Sequence, residues 1–117
     1  MTRYTIHLVA LACTAYPALA TAQEAESGSF AICAALDTPE ICSCADEALA
    51  TDIDAEDLEI YSAIGMDFVE RYAAGTSWAD AWDAAAEKVG QARGVSSGLT
   101  SRMNTVGRAH RDAIKSC

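Results

Sequence analysis

Four cysteines and one histidine hold most of the reactive chemistry in this chain. Cys33, Cys42 and Cys44 form a Cys-x8-Cys-x-Cys pattern, a fourth cysteine stands at Cys117, and His110 is the sole histidine after His7. Such a set could exchange disulfides, hold a metal, or close two structural cross-links. Exchange requires a thiolate stabilised by positive charge or a helix N-terminus. Glu40, Asp46 and Glu47 surround Cys42 and Cys44 with negative charge instead. Zinc or copper bound by the four cysteines, or by His110 in place of one, would compete with oxidation, and the spacing is not that of a zinc knuckle. Structural disulfides are therefore expected. A Cys42–Cys44 bond would close a strained ring inside a helix. Residues 42 and 44 point about 200° apart on a helix and can reach different neighbours. Cys33 and Cys42 lie almost symmetrically about a turn near Asp37, which favours Cys33–Cys42 with Cys44–Cys117 over Cys33–Cys44 with Cys42–Cys117.

No other group forms a recognisable catalytic or cofactor set. The acidic run Asp52, Asp54, Glu56, Asp57 and Glu59 has the composition of a calcium loop but lacks its sharp-turn glycine, and its acids suit a helix N-terminus. Neither a G-x-S-x-G nor an H-E-x-x-H pattern occurs. His110 falls on an apolar helical stripe, the place of a half-buried histidine bonded to a neighbouring helix. Apart from His7 it is also the one side chain able to sense pH between 5 and 8. The expectation is a non-enzyme with no cofactor and no metal.

The N-terminal segment addresses the compartment. Arg3 supplies a weakly basic start, Leu8 to Ala20 an apolar stretch interrupted by Thr14, Tyr16 and Pro17, and Ala20-Thr21-Ala22 a small-x-small site before Gln23. Residues 1–22 are expected to be a signal peptide cleaved between Ala22 and Gln23. A retained anchor is disfavoured because the apolar run falls short of the roughly 20 residues that cross a bilayer. Lipidation at Cys13 is disfavoured because Ala10-Leu11-Ala12 places alanine where a lipobox usually has leucine. Cleavage would remove Cys13 and leave an even four cysteines, as suits an oxidising periplasm or extracellular medium.

Charge narrows the partners. The chain has 8 bases and 17 acids, for a formal net charge of −9. Sixteen of the acids lie between Glu24 and Glu87, with Arg71 the one base among them, while Lys88 to Cys117 holds six bases and Asp112. An acidic body folded against a basic last helix, with charges meeting at the rims, accounts for this distribution. Nucleic acid is not expected as a partner, because the chain lacks a continuous positive footprint.

The elements that must position these groups are all helical. Residues 23–28 read as a disordered leader and residues 29–117 as a single domain. A short first helix uses Phe30, Cys33, Ala34 and Leu36, ending near Asp37; a second runs from Pro39 to Thr51, capped by Thr38, with Ile41, Cys44, Ala45, Ala48 and Leu49 as its stripe. The third starts at an Asp54 cap with an Ile53–Leu58 staple and continues to Ala74 before Gly75. The fourth runs from Ser77 to Gly94. Phe68, Tyr72, Trp78 and Trp82 are expected core anchors. A last stripe of Leu99, Met103, Val106, His110, Ala113, Ile114 and Cys117 has Arg108, Arg111 and Lys115 opposite, and Asn104 to Gly107 could divide it. These readings combine into an all-α, disulfide-stapled bundle of four to five short helices. The expected role is an exported, non-catalytic domain that binds another protein or a small apolar ligand, with no stable membrane anchor after cleavage. An acid-responsive chaperone or envelope stress protein and a Cys/His metal-handling protein are the alternatives.

Overall fold

Local signals set most helix boundaries. A computed structural model describes residues 27–117 as five helices: α1 (Gly28–Ala34), α2 (Pro39–Asp52), α3 (Ala55–Ala73), α4 (Trp78–Arg93) and α5 (Leu99–Ser116). The described residues include no strand, so their class is all-α. The signal segment expected at 1–22, its Ala22–Gln23 cleavage site and most of the leader expected at 23–28 lie outside the described residues.

Asp54 Oδ1 accepts the Glu56 backbone N–H at 2.8 Å, and Ser77 Oγ accepts that of Asp80 at 3.3 Å, satisfying donors that a helix start leaves free. Gly94 follows α4 in the left-handed region at φ 67°, where a Cβ would be strained, and Val95 N–H closes the end on the Gly90 carbonyl at 3.0 Å. Pro39 opens α2, but the Thr38 hydroxyl makes no capping hydrogen bond, contrary to the expected cap. Helix α5 passes through Asn104 to Gly107 without a break.

The chain folds earlier than its composition suggests. Ser27 and Gly28, expected in the leader, belong to the domain: Ser27 Oγ accepts the Phe30 N–H at 3.1 Å, and Gly28 is buried at the first position of α1. The Ser27 and Ser29 hydroxyls both donate to the Asp46 carboxylate on α2. The expected stripe of α1 is corrected as well. Ser29, Ile32 and Cys33 are its buried side chains, Phe30 is half-buried, and Leu36, past the last turn, is 68% exposed.

Helix α3 is central, packed by α1 and α4 and touched by α5, while α2 lies against α5 and α1. Phe68, Leu49, Ile60, Ile64, Met103 and Val106 form the middle of the core. The α1–α3 crossing is unusually close: a Cβ on Gly28 would stand 1.6 Å from the Ser62 carbonyl oxygen, and one on Gly65 would stand 2.5 Å from that of Gly28. Only paired glycines let these two backbones meet.

Disulfides join Cys33 to Cys42 with Cα atoms 5.5 Å apart, and Cys44 to Cys117 with Cα atoms 5.9 Å apart. Intramolecular disulfides suit an oxidising compartment. The first bond is buried; the second is at the surface. Cys44 therefore does not belong to the buried stripe of α2, which is Cys42, Ala45 and Leu49. Those residues recur at the three- and four-residue intervals of one helical face, and Cys44 points away from it. No helix among the described residues is long and apolar enough to cross a membrane.

Candidate ligand-binding cleft

Helices α4 and α5 are closest beside the turn that joins them. A Cβ on Gly90 would come within 2.9 Å of Leu99 Cδ2, so the absence of a side chain there admits the start of α5. Toward the start of α4 and the end of α5, a cleft of about 690 Å³ opens between them, completed by α1 and by Tyr61 of α3. This volume falls within the range of small-molecule sites, roughly 300–1,000 Å³. Ile32 of α1, Leu36 of the turn after it, Trp78 and Trp82 of α4, and Met103 and Ile114 of α5 supply its apolar lining.

Two of the four expected core anchors are corrected by this arrangement. Phe68 is fully buried and Trp82 partly so, but Trp78 is 39% and Tyr72 38% exposed. Trp78 is the first residue of α4 and Tyr72 lies in the last turn of α3, so both stand at the end of the α3–α4 hairpin. Phe68 braces them, with ring centroids 4.5 Å from Trp78 and 5.8 Å from Tyr72. Tyr72 and Trp78 pack edge to face at 5.3 Å, an arrangement that orients an exposed indole without enclosing it.

Tyr61 and His110 are the deepest polar groups of the lining. Tyr61 Oη lies 2.8 Å from His110 Nδ1, and both side chains are buried. Burial raises the Tyr61 pKa well above its ordinary value, an effect opposed by the nearby Arg111 charge and reinforced by Asp46. The hydroxyl therefore keeps its proton and can donate it to Nδ1. Burial also lowers the His110 pKa, against the pull of Asp46, and holds the ring neutral. With Nδ1 accepting, the ring proton sits on Nε2, which is buried and has no hydrogen-bond partner among the described residues.

The cleft also gathers charge that the sequence reading placed elsewhere. Arg108, Arg111 and Lys115, expected on the face opposite the stripe of α5, line its rim together with Asp37 and Asp83. The other described bases meet carboxylates as a rim of paired charges would: Arg71 and Lys88 on Asp67 at 2.6 and 3.0 Å, Arg93 on Glu59 at 2.9 Å, and Arg102 on Asp57. Among the described residues, no carboxylate lies within ion-pair distance of Arg108, Arg111 or Lys115. Helical periodicity cannot reveal this, because an outward-facing base and a cleft-facing base read alike until the neighbouring helix is placed.

Cys33 contributes to the cleft lining, but its sulfur is held in the bond to Cys42. All four described cysteines are oxidised, and no group of three potential metal ligands occurs among the described residues. Compared with family models, curated proteins and solved structures, the chain matches none of them.

Proposed function

We propose that this protein is an exported, non-catalytic binding domain whose site is the cleft between α1, α3, α4 and α5, and that its ligand is a small, largely apolar molecule. The carrying observation is the concave cleft of about 690 Å³ with its apolar lining, to which Trp78 and Leu36, two of the four large apolar side chains exposed among the described residues, both contribute. Exposed large apolar groups gathered in one concavity mark a binding site rather than a core. Export to the periplasm or the extracellular medium, with cleavage after Ala22, agrees with the two disulfides. His110, the one histidine among the described residues, is bonded to a neutral phenol, and no serine, threonine or cysteine among them is hydrogen-bonded to it.

Titration of the natively exported protein with N-phenyl-1-naphthylamine, a neutral apolar probe, tests this reading. The expected result is saturable binding to folded protein at one site, with quenching of tryptophan emission that is reduced in Trp78→Ala, where Trp82 alone reports from the cleft. Absence of saturable binding would overturn it, as would an enzymatic activity abolished by His110→Ala. Intact mass under non-reducing conditions tests export in the same preparation. A chain starting at Gln23 and lighter by about four daltons than its reduced form is the expected product.

His110 also supports an acid-responsive chaperone as a second reading. A buried neutral imidazole beside Tyr61 resists protonation, so acid would have to open its surroundings before charging it. An increase in exposed apolar surface between pH 7 and pH 3, read by dye binding, is the required outcome. Unchanged dye binding would reject this reading.

A further inference from the structure

The cleft's three rim bases are unusual for the chain that carries them. Acids outnumber bases 17 to 8, yet Arg108, Arg111 and Lys115 have no carboxylate within ion-pair distance among the described residues, and all three line one cavity. Bases left over at random would be scattered over the surface. Positions 108, 111 and 115 instead recur along one side of α5 over a rise of about 10 Å. Each is exposed, so folding did not require burying an unpaired charge. Asp37 and Asp83 also line the cavity, but they belong to the turn after α1 and to α4, which leaves the α5 edge positive. Beneath that edge, His110 Nε2 is a buried hydrogen-bonding group still without a partner among the described residues.

We infer that the cleft binds an anionic amphiphile, specifically a medium-chain acyl carboxylate, with its head at Arg108, Arg111 and Lys115 and its chain against Trp78, Trp82 and Leu36. This deepens the binding-domain reading and rests on it. A carboxylate accepts hydrogen bonds from guanidinium and ammonium donors here without displacing an ion pair formed among the described residues. A single flexible chain suits an elongated apolar wall assembled from two helices. The dissolved monomer is the form that can enter, since a concave site presents its tryptophans to a molecule placed inside it and not to a flat bilayer.

The test compares three ten-carbon ligands on the natively exported protein with its disulfides intact: decanoate below its micelle concentration, decanol, and decyltrimethylammonium, each followed by tryptophan fluorescence and calorimetry. Decanoate is expected to bind about tenfold more tightly than decanol, with the cation weakest and the advantage of decanoate shrinking as salt is added. In Arg108→Gln/Arg111→Gln/Lys115→Gln, decanoate should fall to the level of decanol while decanol is unchanged; circular dichroism confirms that the variant is folded. Equal affinity for all three ligands would overturn the anionic head and leave the apolar cleft standing. No binding of any ligand would overturn both readings. Binding to anionic vesicles of phosphatidylglycerol without binding of monomeric decanoate would also overturn the inference, by making this edge a membrane contact.

Discussion

Helix α1 meets the rest of the bundle in two contrasting ways. Against α3 it presents Gly28, and the backbones approach until a single added carbon would overlap the Ser62 carbonyl. Toward α4 and α5 it presents Ile32, with Leu36 in the turn that follows, and a cavity of about 690 Å³ separates the elements. Side-chain size at the contact sets both distances. Where glycine faces glycine nothing holds the helices apart; where Trp78, Trp82 and the long α5 bases stand opposite one another, the helices cannot close without burying charge. The closed side therefore carries stability and the open side carries recognition, so the same kind of substitution should behave differently on the two.

The sharpest way to break this contrast is Gly28→Ala. Its Cβ would have to displace α1 from α3, along with the buried Ile32 and Ser29, and the expected loss is about 5 kcal/mol, read as a large fall in Tm by circular dichroism. A change below about 1 kcal/mol would show that α1 is not seated on α3 as described.

The disulfides divide along the same line. Cys33–Cys42 closes a separation of 9 residues in the buried interior, whereas Cys44–Cys117 closes 73 and holds the end of α5 to α2 at the surface. Chain entropy assigns the longer loop about 4 kcal/mol and the shorter about 2.5 kcal/mol. Cys44→Ser/Cys117→Ser loses almost no packing, so urea unfolding should show a loss of about 4 kcal/mol that is almost entirely the cross-link. If α5 swings outward once released, binding to the cleft should weaken as well.

How far these features were legible in the sequence follows from how local their causes are. The Asp54 and Ser77 caps, the Gly94 stop and the five-helix order come from interactions within a few residues, and pattern reading reaches them. Gly28 is different. In the sequence it belongs to a polar, glycine- and serine-containing stretch, and the reason for its position is a carbonyl 34 residues away on Ser62. Ser27 was the available signal, since a serine three residues before Phe30 is a standard N-cap. Trp78 and Tyr72 fall on apolar stripes at helical spacing, which points to the core, but their places at helix ends put them beyond the reach of covering elements. Arg108, Arg111 and Lys115 were assigned to the solvent face of α5 because periodicity identifies the buried stripe and says nothing of a cavity beside it.

Between the two sides lies the Tyr61–His110 pair, and Tyr61→Phe sharpens where one ends. The substitution keeps the ring but leaves Nδ1 buried without its 2.8 Å partner, at an expected cost of about 2 kcal/mol. The pH dependence should identify His110. Its folded pKa lies below the unfolded value of 6.5, so the unfolded chain binds more protons as pH falls below 6.5, and stability must fall with it down to the folded pKa. Tyr61 has the opposite sign: its folded pKa is raised above 10.0, so its contribution is present below that value and is lost as pH rises past it. Tm measured from pH 7 to pH 5 should decline in the parent protein and stay nearly flat in His110→Gln. An equal decline in both would assign the titration elsewhere.

The smallest expected effect has the opposite direction. Gly107 lies in the middle of α5 and lines the cleft, and a Cβ there would meet nothing within 4 Å. Alanine also loses less backbone freedom on folding than glycine in a helix. Gly107→Ala should therefore stabilise by about 0.7 kcal/mol, raising Tm by a few degrees. The glycine-to-alanine exchange that dislodges α1 on the closed side would then strengthen α5 on the open one. A loss of stability instead would mean that the cleft wall is packed more tightly than its volume implies. The gain would be accompanied by unchanged decanoate affinity only if the acyl chain runs along α4, so the two measurements together locate the ligand's path through the cleft.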